Sequence, residues 1–293
     1  MAMFLQQLVT GLSIGSVYAL LAVGYALIYS IFDFTNFAFG ALMMIGTYAA
    51  FFSISLVNFP LFAAVVLAMA VTAVASVLVE LVAYRTMRAK KASRLYLMIT
   101  AMGVNIFLQN LAIQLIGGGV KAFPSDWAKE TMTLGHITVP RSDVLAAVAS
   151  CLMLVCLWLF LYKTRLGLGI RASAYDTRTA GLMGLNVNMI SLLVFAISGI
   201  TAGLAGVFYG MKYTVYPAMG SVSNKAFIAA VIGGLGSLPG AVIGGVLLGL
   251  LETLVSSYVS TTFRDLFSYS ALIVVLLFMP NGLLGKNAQD KLW

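Results

Sequence analysis

Long apolar runs separated by short polar breaks dominate this chain. Runs of about 20 residues, the length a helix needs to cross a hydrocarbon core of roughly 30 Å, fall at 8–31, 38–57, 61–84, 95–117, 143–162, 189–211, 238–259 and 266–284. Backbone groups inside lipid have no water to bond, so spanning segments must be helices or closed barrels. A barrel would show alternating segments of about ten residues, and the sequence holds none. The pattern predicts an all-α polytopic membrane protein, with residues 1–293 forming a single transmembrane domain of about eight transmembrane helices.

A ninth apolar piece, Ala226–Gly236, is too short to cross alone as a helix. Gly233, Gly234, Gly236, Pro239 and Gly240 fall at its join to the next run, where glycine frees the backbone and proline removes a donor. In one reading, residues 226–258 are a single kinked span and the C-terminus lies outside. In the other, 226–236 is a broken, re-entrant half-helix from which 238–259 returns, and the C-terminus lies inside. The broken reading is preferred. Irregular backbone at membrane depth persists only against protein or a water-filled cavity, and in transporters it often marks the substrate region. The five join residues are therefore candidate positions on a translocation path. Asn36–Gly40 and Lys225–Ile228 both open an apolar, glycine-containing helix, a likeness too weak to claim an inverted repeat.

Charge sets the orientation. Arg85, Arg88, Lys90, Lys91 and Arg94 share one break with no acid, and Lys163, Arg165, Arg171 and Arg178 share another with Asp176 alone. The break between them, 118–142, sets Lys121, Lys129 and Arg141 against Asp126 and Glu130. Lysine and arginine excess marks the cytoplasmic side, and two spans separate the two basic breaks, so they share a side. Counting back places the N-terminus outside, while Lys286 and Lys291 favour a C-terminus inside. The opening MAMFLQQLVTG has no positive charge ahead of its apolar stretch and reads as the start of a first span, not as a cleaved signal.

Composition narrows the function classes. The chain is 61% hydrophobic and 9% charged, with a mean hydropathy of +1.03, whereas a soluble domain carries roughly 25% charged residues. Its surface is meant for the lipid bilayer. The net charge of +8 sits in the breaks between spans, as orientation signals and not as a stripe for nucleic acid. Cys151 and Cys156 lie within a span and offer neither a disulfide framework nor metal spacing. His136 is the one imidazole, and no nucleophile elbow, zinc-protease or phosphate-loop motif occurs. The chain is not expected to be an enzyme, and any ATP it depends on must bind another subunit.

A few positions stand out. Gly199, Gly203, Gly206 and Gly210, and Gly236, Gly240, Gly244, Gly245 and Gly249, recur on single helix faces and predict close packing of backbones. Glu252 is the one acid well inside the last long apolar stretch. A charge at the centre of a membrane helix costs roughly 2.5–3.5 kcal/mol on insertion scales, so such a residue faces protein or water. A place on the path and a structural place near the interface both stand. Glu80, one turn before the first basic break, is expected to pair with Arg85 or Arg88. The stretch Gly167–Gly184 is longer than a turn needs and predicts a short helix at the cytoplasmic surface, suited to docking a cytoplasmic partner.

Several strings resemble one family. Gly11–Leu20, Asn36–Phe–Ala–Phe–Gly40, Gly169–Ile–Arg–Ala172 with Gly184–Leu–Asn–Val187, Lys225–Gly245 and Pro280–Gly285 look like the permease subunit of branched-chain (hydrophobic) amino acid ABC importers. The likeness covers nearly the whole chain, and Lys225–Gly245 is its most specific part. The resemblance implies a second related permease, two cytoplasmic ATPase subunits that hold ATP and Mg, and a periplasmic solute-binding protein. No cofactor or metal would be bound by this chain. The setting would be the bacterial cytoplasmic (inner) membrane, with a multi-pass chain and a periplasmic N-terminus. Cargo would be branched-chain or other small amino acids, and relatives also carry urea and short amides.

The resemblance also implies that Thr179–Gly184 is a degenerate coupling motif (alanine, three residues, glycine) inside a cytoplasmic coupling loop at 163–188. Arg171, Asp176, Ala180 and Gly184 are then the candidate ATPase-coupling residues. The motif's acidic first position is Thr179 here, and Asp176 is the nearest acid. The family usually has histidine where this chain has Phe39, so the histidine's role does not carry over. Asn36, Phe39 and Gly40 join Glu252 and the join residues as path candidates. The alternative is an ion-coupled secondary transporter, which would need an intramembrane acid pair or proton relay, and the spans offer Glu252 alone.

Overall fold

The apolar runs become helices because lipid forces every backbone group to bond within its own segment. In the computed structural model, residues 2–90, 92–124, 131–134 and 137–285 are described. Lys91, Asp126, Lys129, Glu130, His136, Lys286 and Lys291 lie outside them. In chain order the helices are α1 (Ala2–Phe32), α2 (Phe39–Val57), α3 (Leu61–Val79), α4 (Arg85–Ala89), α5 (Arg94–Ile116), α6 (Arg141–Lys163), α7 (Arg165–Tyr175), α8 (Thr177–Leu182), α9 (Val187–Lys212), α10 (Ser223–Gly233), α11 (Leu238–Tyr258) and α12 (Arg264–Phe278). Among the described residues, eight helices are long and apolar enough to cross a membrane, and they coincide with the eight runs.

Two boundaries differ from expectation. The third span does not stop before the first basic break: a π-helical turn, Glu80–Tyr84, carries α3 into α4, so Arg85 and Arg88 are helical. A small antiparallel hairpin, β1 (Thr131–Leu134) and β2 (Ile137–Pro140), occupies the mixed loop. The break between α2 and α3 follows local chemistry. Asn58 caps α2 in the left-handed conformation at φ 55° and Pro60 starts α3.

Packing registers show an inverted repeat. The unit α1, loop 33–38, α2, α3 is repeated as α9, loop 213–222, α10, α11. Helices α1 and α9 are antiparallel: the Ser198 hydroxyl donates to the Gly24 carbonyl at 3.3 Å, and Phe32 lies 5.9 Å from Phe195 between ring centroids. Each of the two packs antiparallel against the third helix of the other unit, α1 on α11 (Gly11 by Leu250, Gly15 by Val246) and α9 on α3 (Gly199 by Ala73, Gly203 by Met69). Each also runs parallel to the other's second helix: Met43 and Thr47 of α2 meet Gly206 and Gly210 of α9, while Ser223 and Phe227 of α10 meet Tyr25 of α1. The α9 glycines and Gly244, Gly245 and Gly249 of α11 are packing positions, as their spacing predicts.

Both loops of the repeat re-enter the bundle. After α1 ends, the chain turns back so that Phe39 lies against Tyr25 at 4.8 Å between rings. Helix α2 therefore starts at mid-depth. In the second unit, the 3-10 turn Pro217–Val222 brings the chain to the same level, where Gly40 and Gly220 touch backbone to backbone: a Cβ on Gly40 would strike the Gly220 carbonyl oxygen. The backbone breaks at membrane depth are thus 33–38 and 213–222. The Gly233–Gly240 join lies elsewhere, with Gly236 beside Tyr29 and Ser30 near the end of α1. The half-helix α10 is re-entrant as expected, but its glycine-proline turn is at the bundle's end, beside the end of α1.

The basic residues gather at that same end. Arg94 pairs with Asp33 at 2.8 Å. Ser191, one turn into α9, donates to Glu80 at 2.5 Å, and Glu80 is ion-paired with Arg88. The segment 163–186 therefore shares this basic side. So does 279–285, whose Leu283 and Leu284 amides donate to the Ile232 and Gly233 carbonyls at 2.9 Å. The start of α6 and the end of α9 meet on the far side, where the Lys212 ammonium donates to both Asp143 oxygens at 2.8 Å.

Candidate functional site

The path candidates separate into three places. Asn36, Phe39 and Gly40 form one group at the start of α2. The Asn36 side-chain oxygen accepts from the Tyr84 hydroxyl at 2.6 Å and from the Ala38 amide at 3.1 Å, which pins the re-entrant loop. Its amide nitrogen is buried and has no partner among the described residues. Phe39 is fully buried over Gly24 and makes ring and packing contacts. Beside it the Tyr25 and Ser223 hydroxyls are 2.5 Å apart, tying α1 to α10.

The join residues form a second group on the basic side. Gly233 and Gly240 pack backbone against backbone, Gly234 lies against Gly282 and Gly285, and Gly236 against α1, while Pro239 is exposed. Their role in this arrangement is to close a tight helical hairpin.

Glu252 stands in a third group toward the far side, and it is fully buried. It is also fully engaged. Its carboxylate accepts from Arg264 at 2.6 Å, from the Tyr18 hydroxyl at 2.9 Å and from the Ser268 hydroxyl at 2.8 Å, and pairs with Lys225 at 3.0 Å. Lys225 also reaches Asp265 at 2.7 Å. Two acids thus balance two bases, and the cluster ties α1, α10, α11 and α12 together. Both carboxylate oxygens are thus engaged by partners within the chain. Glu80 is the other buried acid on a third helix of the repeat, and of its two expected partners Arg88 is the one it meets.

Lys225 and Arg264 escaped the sequence reading. Both sit at run boundaries, where a positive charge reads as an orientation signal. What could have found them is that Glu252 needs cations, and Arg264 is three turns further along the chain.

The coupling candidates lie together on the basic side. The stretch Gly167–Gly184 forms two helices rather than one, because Asp176 ends α7 and caps α8, its carboxylate accepting from the Arg178 amide at 2.8 Å and from the Thr179 hydroxyl. Those bonds, the Thr179 hydroxyl first, hold the Asp176 carboxyl below the usual range. Ala180 is buried, whereas Leu182 and Met183 are 83% and 81% exposed at the tip. Gly184 follows at φ +87°, which a side chain rarely adopts. Arg171 lies over the Tyr162 ring at 4.8 Å and fastens α7 to α6. A rigid two-helix elbow with an apolar tip is the result.

A small cavity lined by Ser13, Tyr18, Asp143, Tyr209, Lys212 and Tyr213 holds about 10 Å³, room for about one water.

Comparison with known proteins fits this geometry. The family described as branched-chain amino acid transport system / permease component has a model that matches residues 7–277. The high-affinity branched-chain amino acid transport system permease protein BraD of Pseudomonas aeruginosa is 38% identical over 98% of both chains. LivH of Escherichia coli strain K12, with the same description, is 37% identical over 98% of this chain and 97% of its own. Among solved structures, PsaBC from Streptococcus pneumoniae in complex with Fab aligns over 94% of this chain and 91% of the matched chain, with a TM-score of 0.50 at 15% identity, a likeness of fold alone.

Proposed function

This chain belongs to the branched-chain amino acid transport permease family, and from that premise we propose that it is the membrane-spanning half of an ATP-driven importer of branched-chain or other small amino acids. ATP and Mg would bind two partner ATPases on the basic side, taken as cytoplasmic. A solute-binding protein would deliver cargo at the far side, and the pathway would run between this chain and a second related permease. The N-terminus is then periplasmic, the C-terminal end cytoplasmic, and the membrane the bacterial inner one.

The observation that carries this reading is the elbow α7–α8. Leu182 and Met183 are exposed on the same side as the basic residues, at the end of a helix capped at Asp176 and joined to α7, which packs on α6 and α9. A nucleotide-driven change in a partner that grips this tip is passed to α9, and α9 packs on α1, α2 and α3 at once. ATP binding would favour one arrangement of the permease pair and hydrolysis the other, each by its own contacts.

One further observation agrees. Glu252 is engaged by its own ion pairs, so this acid does not serve the secondary-transporter alternative.

The test replaces Met183 by Glu, at a site that packs on nothing in the chain. The ATPases are expected to fall away on co-purification while the permease stays monodisperse. Undiminished ATPase retention and solute-stimulated hydrolysis would sink the coupling role. Gly184 to a bulky charged residue is the harsher companion, since it also strains the turn.

A further inference from the structure

The exposed face of α3 runs without a break into a basic groove. Val71, Val74, Leu78 and Val82 follow one another at steps of three and four, which puts them on one helix face, and the last three are 60%, 54% and 74% exposed. Apolar side chains so placed on a membrane helix meet acyl chains. The next steps, again three and four, bring Arg85 and Ala89 onto the same face. Arg85, Thr86, Ala89 and Lys90, together with Leu81, line an open groove of about 530 Å³ at the basic end of the bundle.

Orientation of the chain asks only that positive charge lie on this side, not where each charge points. Here the bases are divided. Arg88 is paired with the buried Glu80 and lies over the Phe32 ring at 4.4 Å, and Arg94 is paired with Asp33. Arg85 and Lys90 are exposed, line the groove and have no partner among the described residues. Ala89, between them in the chain, is too small to fill the space. The Thr86 hydroxyl already donates to the Val82 carbonyl at 3.0 Å, so the two cations are the ligands on offer. No acid among the described residues lines the groove. Glu80, the closest in sequence, is 1% exposed and engaged by Arg88 and Ser191.

We propose that this groove holds the phosphate of an anionic phospholipid, with Arg85 and Lys90 as its ligands and the acyl chains along Val74, Leu78 and Val82. A guanidinium presents paired donors to phosphate oxygens, and an ammonium adds a point charge on a flexible stem. Basic pockets between membrane helices on the cytoplasmic side bind such headgroups. The continuity of groove and apolar face favours a lipid over a free anion, since one lipid fills both. The missing acid favours a headgroup of net negative charge. A zwitterionic lipid would bring its cationic group to a groove with no carboxylate to receive it. The site lies on this chain's own surface and needs neither ATP nor a second subunit, so it stands or falls apart from the importer reading.

The test reconstitutes the full-length chain in phosphatidylcholine nanodiscs with a trace of phosphatidylglycerol that carries a photoreactive acyl chain, and identifies the labelled peptide by mass spectrometry. Label is expected on the α3–α4 segment, and a phosphatidylcholine probe of the same build is expected to give severalfold less. Each base beside an anionic headgroup is worth about fivefold in binding, so R85Q/K90Q is expected to cut the label about thirtyfold. Neither side chain bonds within the chain, so the size-exclusion profile should not change. K163Q/R165Q removes equal charge from the other basic break and is expected to leave the α3–α4 label in place. Excess inorganic phosphate, compared with chloride of equal ionic strength, is expected to do the same. Equal labelling by the two lipids, equal loss in the two double variants, or displacement by inorganic phosphate would overturn the proposal. Unchanged labelling of R85Q/K90Q would overturn it too, and loss of the ATPases from that variant's purified transporter would then make the groove a protein contact.

Discussion

Removing the Glu252 charge should unsettle four helices at once. Glu252→Gln leaves Arg264 and Lys225 facing only Asp265, so a balanced cluster gains one uncompensated positive charge beside a fully buried amide. Unit charges about 4 Å apart are worth about 4 kcal/mol at an effective dielectric near 20, and stripping one partner from a buried pair costs about 3–5 kcal/mol. The Lys225 and Arg264 side chains are 18% and 23% exposed, and Lys225 keeps Asp265. The expected loss therefore sits at the low end, about 3 kcal/mol. At about 2–4 °C per kcal/mol for a chain of this class, the melting midpoint of the detergent-solubilised protein falls by about 6–12 °C, read as the monodisperse fraction after heating. The double variant E252Q/R264Q restores neutrality by leaving the Lys225–Asp265 pair alone, and it should recover part of the loss. A midpoint within about 2 °C of wild type for E252Q, the scale of a surface substitution, or a double variant worse than the sum of the two singles, would refute this account of the cluster.

Two other outcomes follow from the same structure. Gly40→Ala should sharply lower the yield of folded protein, because its Cβ collides with the Gly220 carbonyl and overpacking costs about 1–3 kcal/mol or more. Gly103→Ala meets nothing in the chain and should leave the yield of the isolated chain unchanged, as size-exclusion profiles will show. The α8 cap should be pH-dependent only in acid. The Asp176 carboxyl is lowered in the folded chain, chiefly by the Thr179 hydroxyl, so its contribution is complete above the unfolded value near 4 and fades as pH falls through the folded one. Hydrogen exchange of α8 amides should be flat from neutral pH to about 5 after correction for intrinsic rates, then rise, and Asp176→Ala should show the fast rate throughout.

Spans were legible because a hydrophobic run long enough to cross lipid has few other uses, and the eight runs return as eight helices. Breaks were harder to interpret. Residues 33–38 contain Asp33, Thr35 and Asn36, and short polar stretches read as surface loops. The chain instead folds them inward, where Tyr84 donates to the Asn36 side-chain oxygen and Thr35 is buried. Glycine and proline at 233–240 announced a turn correctly but carried no information on depth, since the same residues close a hairpin at either the middle or the end of a bundle. Glu252 announced that cations must be near, yet Lys225 reaches it from another helix and Arg264 from the following one, and no local pattern encodes such a meeting. The inverted repeat is written in backbone direction and packing register, which survive when residue identities have drifted apart.

The pairing of α1 with α11 also has a clock attached. Helix α1 is the most deeply covered span of the finished bundle, with 89% of its most apolar window buried. It leaves the ribosome well before its principal neighbour, and the bond from Tyr18 to Glu252 spans 234 residues. At about 5–20 residues per second, the glycine-lined face of α1 waits about 10–50 s in the membrane before its partner exists. For that time lipid, the insertion machinery or the neighbouring spans must shelter a surface shaped for α11, so the core closes only once α11 has followed.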